Sequence, residues 1–267
     1  MKNEEIVEKR KVLKQLWEEY KNESDYKKAK PIYAKIKKLE EEVGQIEDEE
    51  DPVSEVIYER DLKDEIKLLR DLQPLLKGPL FHITHIHNIP SILENGALIC
   101  RRLLERYHVD ISDISNYHVQ KRRIEFHEYV PLFFASNTPM LYVIYENDVV
   151  MFEVDPIILK IEGCLISDGN VASNNTSISD NLQDLEGMDW DMIYSNVPTY
   201  SKDYKRKRSA EVLVPDFVEV KFLQKIHCKD STTEKKMKNI LKSHGIEIPT
   251  TTKLTREGVS KYEPLRI

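Results

Sequence analysis

The sequence predicts an α+β fold preceded by an N-terminal α-helical extension, and three observations support that class. Residues 1–77 carry apolar side chains at helical spacing within a strongly charged background. From Leu80 onward, short runs rich in Val, Ile, Phe and Tyr alternate with turns, as is typical of β-strands. Gly78 and Pro79 separate the two regions. We therefore predict a helical extension over 1–77, a central domain over 78–230, and a C-terminal helix and tail over 231–267.

Two apolar stripes organise the helical extension. Their members fall on one face of a helix: Ile6, Leu13, Leu16, Trp17 and Tyr20, then Ile32, Ile36, Leu39 and Val43. We predict a break between the two helices at Asn22–Asp25. The acidic run Ile46–Pro52 predicts a linker, because like charges repel and Pro52 resists continuing a helix. A third helical pattern follows, with Leu62, Ile66 and Leu69.

Five apolar runs in the central domain predict strands. They are LFHITHI (80–86), YVPLFFAS (129–136), MLYVIY (140–145), VVMFEV (149–154) and AEVLVP (210–215). Helices are predicted over Ile89–Asn95, where Gly96 ends the helix, and over 181–194 and 233–245.

The composition restricts the function. The 267 residues carry a net charge of −7, which argues against a tight, non-specific nucleic-acid binder but allows brief contact through a local basic patch. Cys100, Cys164 and Cys228 are widely spaced and odd in number, so we predict buried free thiols. We find no membrane-spanning run and no signal peptide, and we therefore expect a cytoplasmic protein without a membrane partner.

The run HITHIH contains three imidazoles within six residues. On a strand, His85 and His87 share a face and His82 points away from them, so a metal site is disfavoured. His82 and Thr84 are two positions apart and can reach one ligand together. Further along, Arg122 and Arg123 are either solvated or suited to grip a diphosphate through paired hydrogen bonds.

Two other stretches are ambiguous when read alone. The polar stretch Ser167–Asn181 is either a disordered connector or a functional loop. Glu211 heads an apolar strand directly behind the cationic run Lys205–Arg208. It is either an exposed edge carboxylate or, if partly desolvated, a general base. No GxGxxG or GxxxxGK[ST] sequence is present, so a nucleotide would not bind in a Rossmann or P-loop cradle.

Taken in order, these stretches resemble the DarT family of nucleic-acid ADP-ribosyltransferase toxins. The resemblance runs from about Leu80 to Cys228, outside the helical extension. It rests on FHITHIHNIPSILENG, HVQKRR, YVPLFF, SNTPMLYVIY, DGNV, MDWDMIY and KRSAEVLV. It implies an ADP-ribosyltransferase fold, in which two packed small β-sheets with helices hold NAD in the cleft between them, without a metal.

The resemblance also implies a role for each matching residue. His82, Ile83 and Thr84 would hold NAD, Ser91 and Ile99 would line the same pocket, and residues 108–122 would fold over it. Arg123 would bind the phosphates and help to activate the acceptor base, so that the reacting carbon faces Glu211, the catalytic glutamate. Residues 170–211 would present the acceptor. Asn170, Lys205, Arg206, Lys207 and Arg208 would contact the nucleic-acid strand.

The implied function is a mono-ADP-ribosyltransferase toxin that modifies a base in single-stranded DNA, in a toxin–antitoxin or anti-phage system. Action on RNA and a non-catalytic binding module are the alternatives. An antitoxin, by family analogy a macrodomain hydrolase, is the expected partner. Residues 1–77 would pack on the central domain, an antitoxin, a chaperone or a second copy of the chain. Phe133 and Asn137 depart from the tyrosine and arginine that the family often has, which would remove a pocket hydroxyl and a strand contact.

Overall fold

The structure is a computed structural model. It describes residues 26–47, 76, 78–114, 117–195 and 201–259, together with individual positions between 9 and 23. The chain forms two compact units. The first contains residues 1–58 and 102–109, and the second contains residues 59–101 and 110–267. The predicted boundary at 77/78 and the third predicted helix, with Leu62, Ile66 and Leu69, lie in or beside 48–75, outside the described residues.

The main element of the first unit is helix α1 (Tyr26–Glu47). Glu23 is not helical, as expected for the predicted break, and the helix continues through the first two residues of the predicted linker. Ile36 of the second apolar stripe is fully buried. On the polar side of α1, the Tyr33 hydroxyl donates to Glu105 Oε1 at 3.2 Å, and Lys37 forms an ion pair with the same carboxylate.

The remaining helices are short, apart from the last. They are α2 (Ile89–Glu94), α3 (Arg101–Arg106), α4 (Tyr117–Arg122), α5 (Pro139–Ile144), α6 (Trp190–Ile193), α7 (Lys202–Lys207) and α8 (Ser231–Ser243). None of the helices in the described part of the chain is both long and apolar enough to cross a membrane.

Twelve strands are formed by the described residues of the second unit. They are β1 (Leu80–His85), β2 (Ala97–Ile99), β3 (Tyr129–Phe133), β4 (Val149–Val154), β5 (Leu165–Ser167), β6 (Ile178–Ser179), β7 (Glu211–Pro215), β8 (Phe217–Glu219), β9 (Leu223–His227), β10 (Thr250–Thr251), β11 (Leu254–Thr255) and β12 (Gly258–Val259). Eight of them form one sheet in the order β10-β9-β4-β1-β3-β7-β5-β6. β2 pairs with β8 and β11 pairs with β12 in two-stranded sheets.

The large sheet is nearly divided at its centre. β1 pairs with β4 over six residues, and β3 pairs with β7 over five, but β1 and β3 share only the pair Phe81–Phe133. This pair joins two four-stranded halves, which match the two small sheets expected from the resemblance. An apolar cluster that includes Phe81, Ile83, Phe133 and Leu141 packs at the join.

The predicted strand over 140–145 is wrong, because this run forms α5. The Thr138 side chain caps the helix by accepting from Leu141 N–H at 3.2 Å, and Pro139 occupies the first turn, where its missing N–H costs nothing. Leu141 and Ile144 are buried while Tyr142 and Val143 are exposed. That pattern buries one face of a helix.

The other sequence predictions for this unit are mostly confirmed. The remaining four predicted strands form, and α2 ends before Gly96, which has a positive φ of 68°. The predicted helix over 181–194 is instead a 3₁₀ helix, Leu182–Gly187, followed by α6. All three cysteines are buried and free, and burial raises the pKa of the Cys228 thiol to about 12.

Candidate active site

Glu211 and Arg123 form the centre of the candidate site. Glu211 is the first residue of β7, and its side chain is fully buried. Arg123 Nη1 donates to Glu211 Oε1 at 2.9 Å, and Arg123 Nη2 donates to Oε2 at 2.7 Å. The Arg123 side chain is 17% exposed, so Arg123 is the member of the pair that a ligand can reach in this conformation. Arg122, the other arginine of the pair, is exposed.

The resemblance implied that Arg123 holds the phosphates while the reacting carbon faces Glu211, and the structure brings the two side chains into direct contact. The physical reason is desolvation. A carboxylate removed from water needs an opposite charge and hydrogen-bond donors, and a planar guanidinium supplies both through two parallel bonds. The alternative reading of Glu211 as an exposed edge carboxylate is therefore wrong.

The end of β5 holds the backbone of Glu211. Glu211 N–H donates to the Ser167 hydroxyl at 3.1 Å, and that hydroxyl donates to the Gly169 carbonyl at 2.8 Å. Val171 N–H donates to Glu211 Oε1 at 3.3 Å, which adds a backbone donor to the two from Arg123. Ser167 and Val171 were not singled out in the sequence analysis, since nothing in the local pattern shows that β5 and β7 are neighbours.

The polar stretch after Ser167 is ordered. Asp168 N–H donates to the Ser177 carbonyl at 3.1 Å, and Ser177 N–H donates to Asp168 Oδ1 at 2.8 Å. Asn170, a predicted strand contact, uses its side chain to accept from Ala172 N–H at 2.9 Å. The disordered-connector interpretation of this stretch is wrong, because turns and the short strand β6 satisfy its backbone.

Most of the cationic run has partners inside the fold. Arg206 forms ion pairs with Asp168 at 2.8 Å and Asp203 at 3.1 Å. Burial lowers the pKa of Arg206, but hydrogen bonds to the two carboxylates outweigh this and raise the pKa above its ordinary value. Lys207 contacts Asp189 at 2.7 Å, and this hydrogen bond raises the lysine's pKa.

Arg208 and Lys205 differ sharply in exposure. Arg208 is buried, with Nη2 donating to the Asn137 carbonyl and Nη1 to the Tyr204 hydroxyl. Lys205 is exposed, and among the described residues it has no ion pair. Lys205 is thus the residue of the run that is most open to a nucleic-acid phosphate.

His82 and Thr84 lie on the same face of β1, as expected. His82 Nδ1 lies 3.0 Å from the Pro131 carbonyl, which can only accept, so the proton is on Nδ1. Burial lowers the pKa of His82, although the bond to Pro131 opposes this, and the ring is neutral at pH 7 with a lone pair on Nε2. The Thr84 hydroxyl accepts from Asn88 Nδ2 at 3.1 Å, which leaves its own hydrogen free to donate.

Asn88 is a site residue that the sequence analysis missed, although it lies in the quoted HITHIHN stretch. Its Nδ2 donates to the Ser112 carbonyl at 3.1 Å, and its Oδ1 accepts from Ser112 N–H at 2.7 Å. Asp113 forms an ion pair with Arg101 and accepts from Gln120 Nε2 at 2.6 Å. These contacts fix the part of the predicted NAD-covering loop that lies within residues 110–114.

The other predicted pocket residues have different surroundings. Ile83 points into the apolar cluster, so only its backbone is open to a ligand. Ser91 lies on α2, where its carbonyl and hydroxyl accept from Asn95 Nδ2 at 2.8 and 3.2 Å. Ile99 ends β2 opposite Phe217 and is partly buried. Phe133 belongs to the apolar cluster, and its position directly opposite Glu211 in the β3–β7 pairing is where the family often has a tyrosine.

His85 and His87 contact each other, with ring centroids 4.6 Å apart. Burial lowers the pKa of His85, and the neighbouring His87 lowers it further. Within the described part of the chain, no group of three or more His, Cys, Asp or Glu side chains could hold a metal ion.

Comparison with known proteins agrees with this geometry. The family model described as "ssDNA thymidine ADP-ribosyltransferase, DarT" matches residues 81–256. A DNA ADP-ribosyl transferase–DNA ADP-ribosyl glycohydrolase fusion protein of Thermosipho africanus is 30% identical over 187 residues, which are 63% of this chain and 47% of that protein. The chain thus spans about half the length of that relative.

Solved structures show the same fold. The Thermus sp. 2.9 DarT structure with ADP-ribosylated single-stranded DNA has a TM-score of 0.59 at 20% identity and covers 73% of this chain and 98% of that one. The same protein with NAD+ has a TM-score of 0.56 at 20% identity, covering 66% and 96%. The sheet halves and helices of the second unit therefore form an ADP-ribosyltransferase fold, and the chain belongs to the DarT family.

Proposed function

We propose that this protein transfers ADP-ribose from NAD to a thymine base in single-stranded DNA. The observation that carries the proposal is the Arg123–Glu211 pair, a buried carboxylate held by a partly exposed guanidinium. Membership of a family described as single-stranded-DNA thymidine ADP-ribosyltransferases supports the reaction. The NAD+ and ADP-ribosylated DNA complexes of the Thermus relative support the two substrates.

NAD would bind at the gap between β1 and β3. His82 Nε2 can accept from a ribose hydroxyl, and the Thr84 hydroxyl can donate to the same part of the ligand. Ser91, Ile99 and the backbone of Ile83 would complete this wall. Arg123 would contact the diphosphate or the acceptor base through its exposed edge, since the rest of its guanidinium is engaged by Glu211.

The chemistry needs charge stabilisation and one proton acceptor. The bond between ribose C1′ and the nicotinamide nitrogen breaks, and its electron pair leaves with neutral nicotinamide. A ring nitrogen of the base forms the new bond to C1′ and loses its proton. The positive charge that develops on the ribose would be stabilised by Glu211, which would also receive the proton. Because Glu211 is fully buried against Arg123, this step requires Arg123 to shift toward the ligand and uncover the carboxylate.

Single-stranded DNA is favoured because the acceptor nitrogen of a paired base is not accessible. Lys205 would contact a phosphate of the strand, while Arg206, Lys207 and Arg208 mainly serve the fold. The Asn170 side chain accepts a hydrogen bond from Ala172 N–H, so Asn170 would contribute by stabilising this turn rather than by contacting the strand directly.

The direct test is to incubate the protein with labelled NAD and three oligonucleotides: single-stranded DNA with thymine, the same DNA without thymine, and RNA. We expect label on the first only. Glu211→Gln should reduce labelling by about 100- to 10,000-fold, the range that general acid–base groups contribute. The exposed carboxylate Glu162 gives the matched control Glu162→Gln, which should label as the wild type does.

The outcomes separate the alternatives. Label on RNA only would transfer the proposal to RNA, and label on thymine-free DNA would remove thymine as the acceptor. An absence of label on all three, with NAD still bound, would support the binding-module alternative.

We further propose that the activity serves as a toxin in a toxin–antitoxin or anti-phage system in the cytoplasm. The fusion of a transferase to a DNA ADP-ribosyl glycohydrolase in the Thermosipho relative supports an antidote that removes ADP-ribose from DNA. Expression of the wild type in bacteria should slow growth, whereas Glu211→Gln should not. The helical extension is a second candidate contact for an antitoxin, a chaperone or another copy of the chain.

A further inference from the structure

The turn Asp168–Val171 and the helix that precedes Glu211 are tied together by one arginine. Arg206 Nη1 donates to Asp168 Oδ1 at 2.8 Å, and the Arg206 carbonyl accepts from Asn170 N–H at 2.9 Å. The side chain and the backbone of Arg206 therefore both contact this turn. The side chain is only 11% exposed.

Gly169 lets the two segments come this close. A Cβ atom at position 169 would lie 2.6 Å from Arg206 Nη1 and 3.0 Å from the Arg206 carbonyl oxygen. The first distance is shorter than real Cβ contacts, and the second is tight against backbone, so any side chain at this position would displace Arg206. Glycine thus favours the observed packing of the turn against α7.

The same turn also contacts the catalytic carboxylate. Ser167 Oγ bridges the Gly169 carbonyl at 2.8 Å and Glu211 N–H at 3.1 Å, and Val171 N–H reaches Glu211 Oε1 at 3.3 Å. A continuous set of hydrogen bonds thus runs from Arg206 through the turn to both the backbone and the carboxylate of Glu211.

We propose that Arg206 and the turn Asp168–Val171 position Glu211 for the transfer reaction, so that Arg206 acts inside the fold rather than on the DNA strand. This set of hydrogen bonds keeps Glu211 in place when a ligand engages Arg123. Ser167 Oγ holds the Glu211 backbone and Val171 N–H holds its carboxylate, both independently of the guanidinium. This inference rests on the proposed transferase function and reassigns Arg206, which the sequence analysis expected to contact the nucleic acid.

The test compares four variants with the wild type, all first checked for folding by circular dichroism and melting temperature. Arg206→Ala removes the side-chain contact with Asp168 but leaves the backbone bond from Asn170 N–H, and Asp168→Asn weakens the same ion pair with less risk to folding. Lys205→Ala removes the exposed neighbouring charge. Lys235→Ala, at an exposed position of α8 outside the candidate site, is the matched control.

The readouts are the transfer rate at saturating NAD and DNA, and the dissociation constants for NAD and for the oligonucleotide. We expect Arg206→Ala to lower the saturating rate by up to about 100-fold, the cost of a catalytic group misplaced by about 1 Å, with both dissociation constants unchanged. Asp168→Asn should lower the same rate by less. Lys205→Ala should instead weaken oligonucleotide binding, and Lys235→Ala should change neither the rate nor the dissociation constants.

The proposal is overturned if Arg206→Ala weakens oligonucleotide binding and regains the wild-type rate at saturating DNA. An activity-independent readout separates this proposal from the proposed function. In protein labelled with ¹³C at glutamate carboxyls, the Glu211 resonance should shift in Arg206→Ala and Asp168→Asn but not in Lys205→Ala. If the Glu211 resonance is unchanged in both Arg206→Ala and Asp168→Asn, the positioning role is overturned, even if the wild type transfers no ADP-ribose.

Discussion

Arg123 and Glu211 neutralise each other inside the protein, and this arrangement decides which group meets the ligand. The Glu211 side chain has no exposed surface, whereas 17% of the Arg123 side chain is exposed. Replacing either partner would leave the other as a buried charge without a counter-ion, which is costly. The pair should therefore behave as one functional unit rather than as two independent residues.

The residues of the candidate site could be predicted from the sequence only in part. The quoted blocks contain Arg123, Glu211, His82 and Thr84, all of which the structure places on or beside the adjacent strands β1, β3 and β7. The roles within the run Lys205–Arg208 could not be predicted. Four consecutive cations look alike in sequence, and only the fold shows which of them face Asp168, Asp189 or a buried carbonyl.

His82 gives a prediction about pH at the scale of one residue. Burial lowers its pKa below the 6.5 of an unfolded histidine, so below about pH 6.5 the unfolded chain binds more protons than the folded one. Stability contributed at this position therefore falls as the pH falls. His82→Asn keeps a donor for the Pro131 carbonyl without a titrating ring.

The measurement is urea unfolding of the wild type and His82→Asn between about pH 7.5 and 5. As the pH is lowered, the free energy of unfolding of the wild type should fall relative to that of His82→Asn. A difference that stays constant over this range would show that His82 does not remain neutral in the folded protein.

At the scale of elements, the gap between β1 and β3 follows from the residues that face it. A strand residue points its N–H and C=O to the same side, and the carbonyl of Pro131 is taken by the His82 side chain. Proline has no N–H to offer β1, so the ladder cannot continue past the Phe81–Phe133 pair. The proposed NAD site beside His82 lies at this break in the ladder.

The half of the sheet formed by β10, β9, β4 and β1 contains a buried cluster of ionisable side chains, which gives a second prediction. Glu153 on β4 contacts His227 on β9 at 2.6 Å and Lys225 at 3.3 Å. Burial raises the pKa of Glu153, but hydrogen bonds from His227 and Lys225 outweigh it and hold the pKa below 4.5. The stabilisation is thus present above about pH 4.5 and is lost as the pH falls through the lower folded value.

Glu153→Ala should lower the free energy of unfolding at pH 7 by roughly 1–3 kcal/mol, because it leaves Nε2 of the buried His227 without its hydrogen-bond partner. Urea unfolding measures this, and the exposed Glu162→Ala should change the value by no more than about 0.5 kcal/mol. Equal stabilities of Glu153→Ala and the wild type would show that the cluster does not hold β4 to β9.

Strands could be predicted where the length of an apolar run and its content of β-branched and aromatic residues both favour a strand, as for β1, β4 and β7. The structure of the run MLYVIY could not be predicted, since six apolar residues without clear periodicity fit a strand or a buried helix equally well. The useful signal was the preceding Thr138-Pro139, a helix cap followed by a first-turn proline. Over 181–194 the helical spacing was real, but Gly187 and the new cap at Asp189 divided the segment.

At the scale of the whole molecule, the net charge limits how strongly the protein can bind the phosphates of the proposed DNA substrate. The net charge is −7, and three of the four cations in the basic run are engaged inside the fold. Few phosphates can therefore be neutralised, and binding should rely on the base in the site more than on the backbone.

The salt dependence of oligonucleotide binding tests this. For one or two phosphate contacts, log K against log salt should have a slope of roughly −0.7 to −1.4, as expected for a single strand. Fluorescence anisotropy at several salt concentrations gives the slope, and Lys205→Ala should reduce its magnitude by about 0.7. A slope steeper than about −3 would indicate a basic surface that this account lacks.

The pairing of Arg123 with Glu211 is the centre of the account, and a double-mutant cycle on the rate of ADP-ribose transfer tests it most directly. The single-turnover rate is measured for the wild type, Arg123→Lys, Glu211→Gln and the double variant, with Arg122→Lys as the control. Since the two groups act as a unit, the double variant should be no slower than the slower single variant. Losses that multiply in the double variant would show that the two residues act independently and would contradict the account.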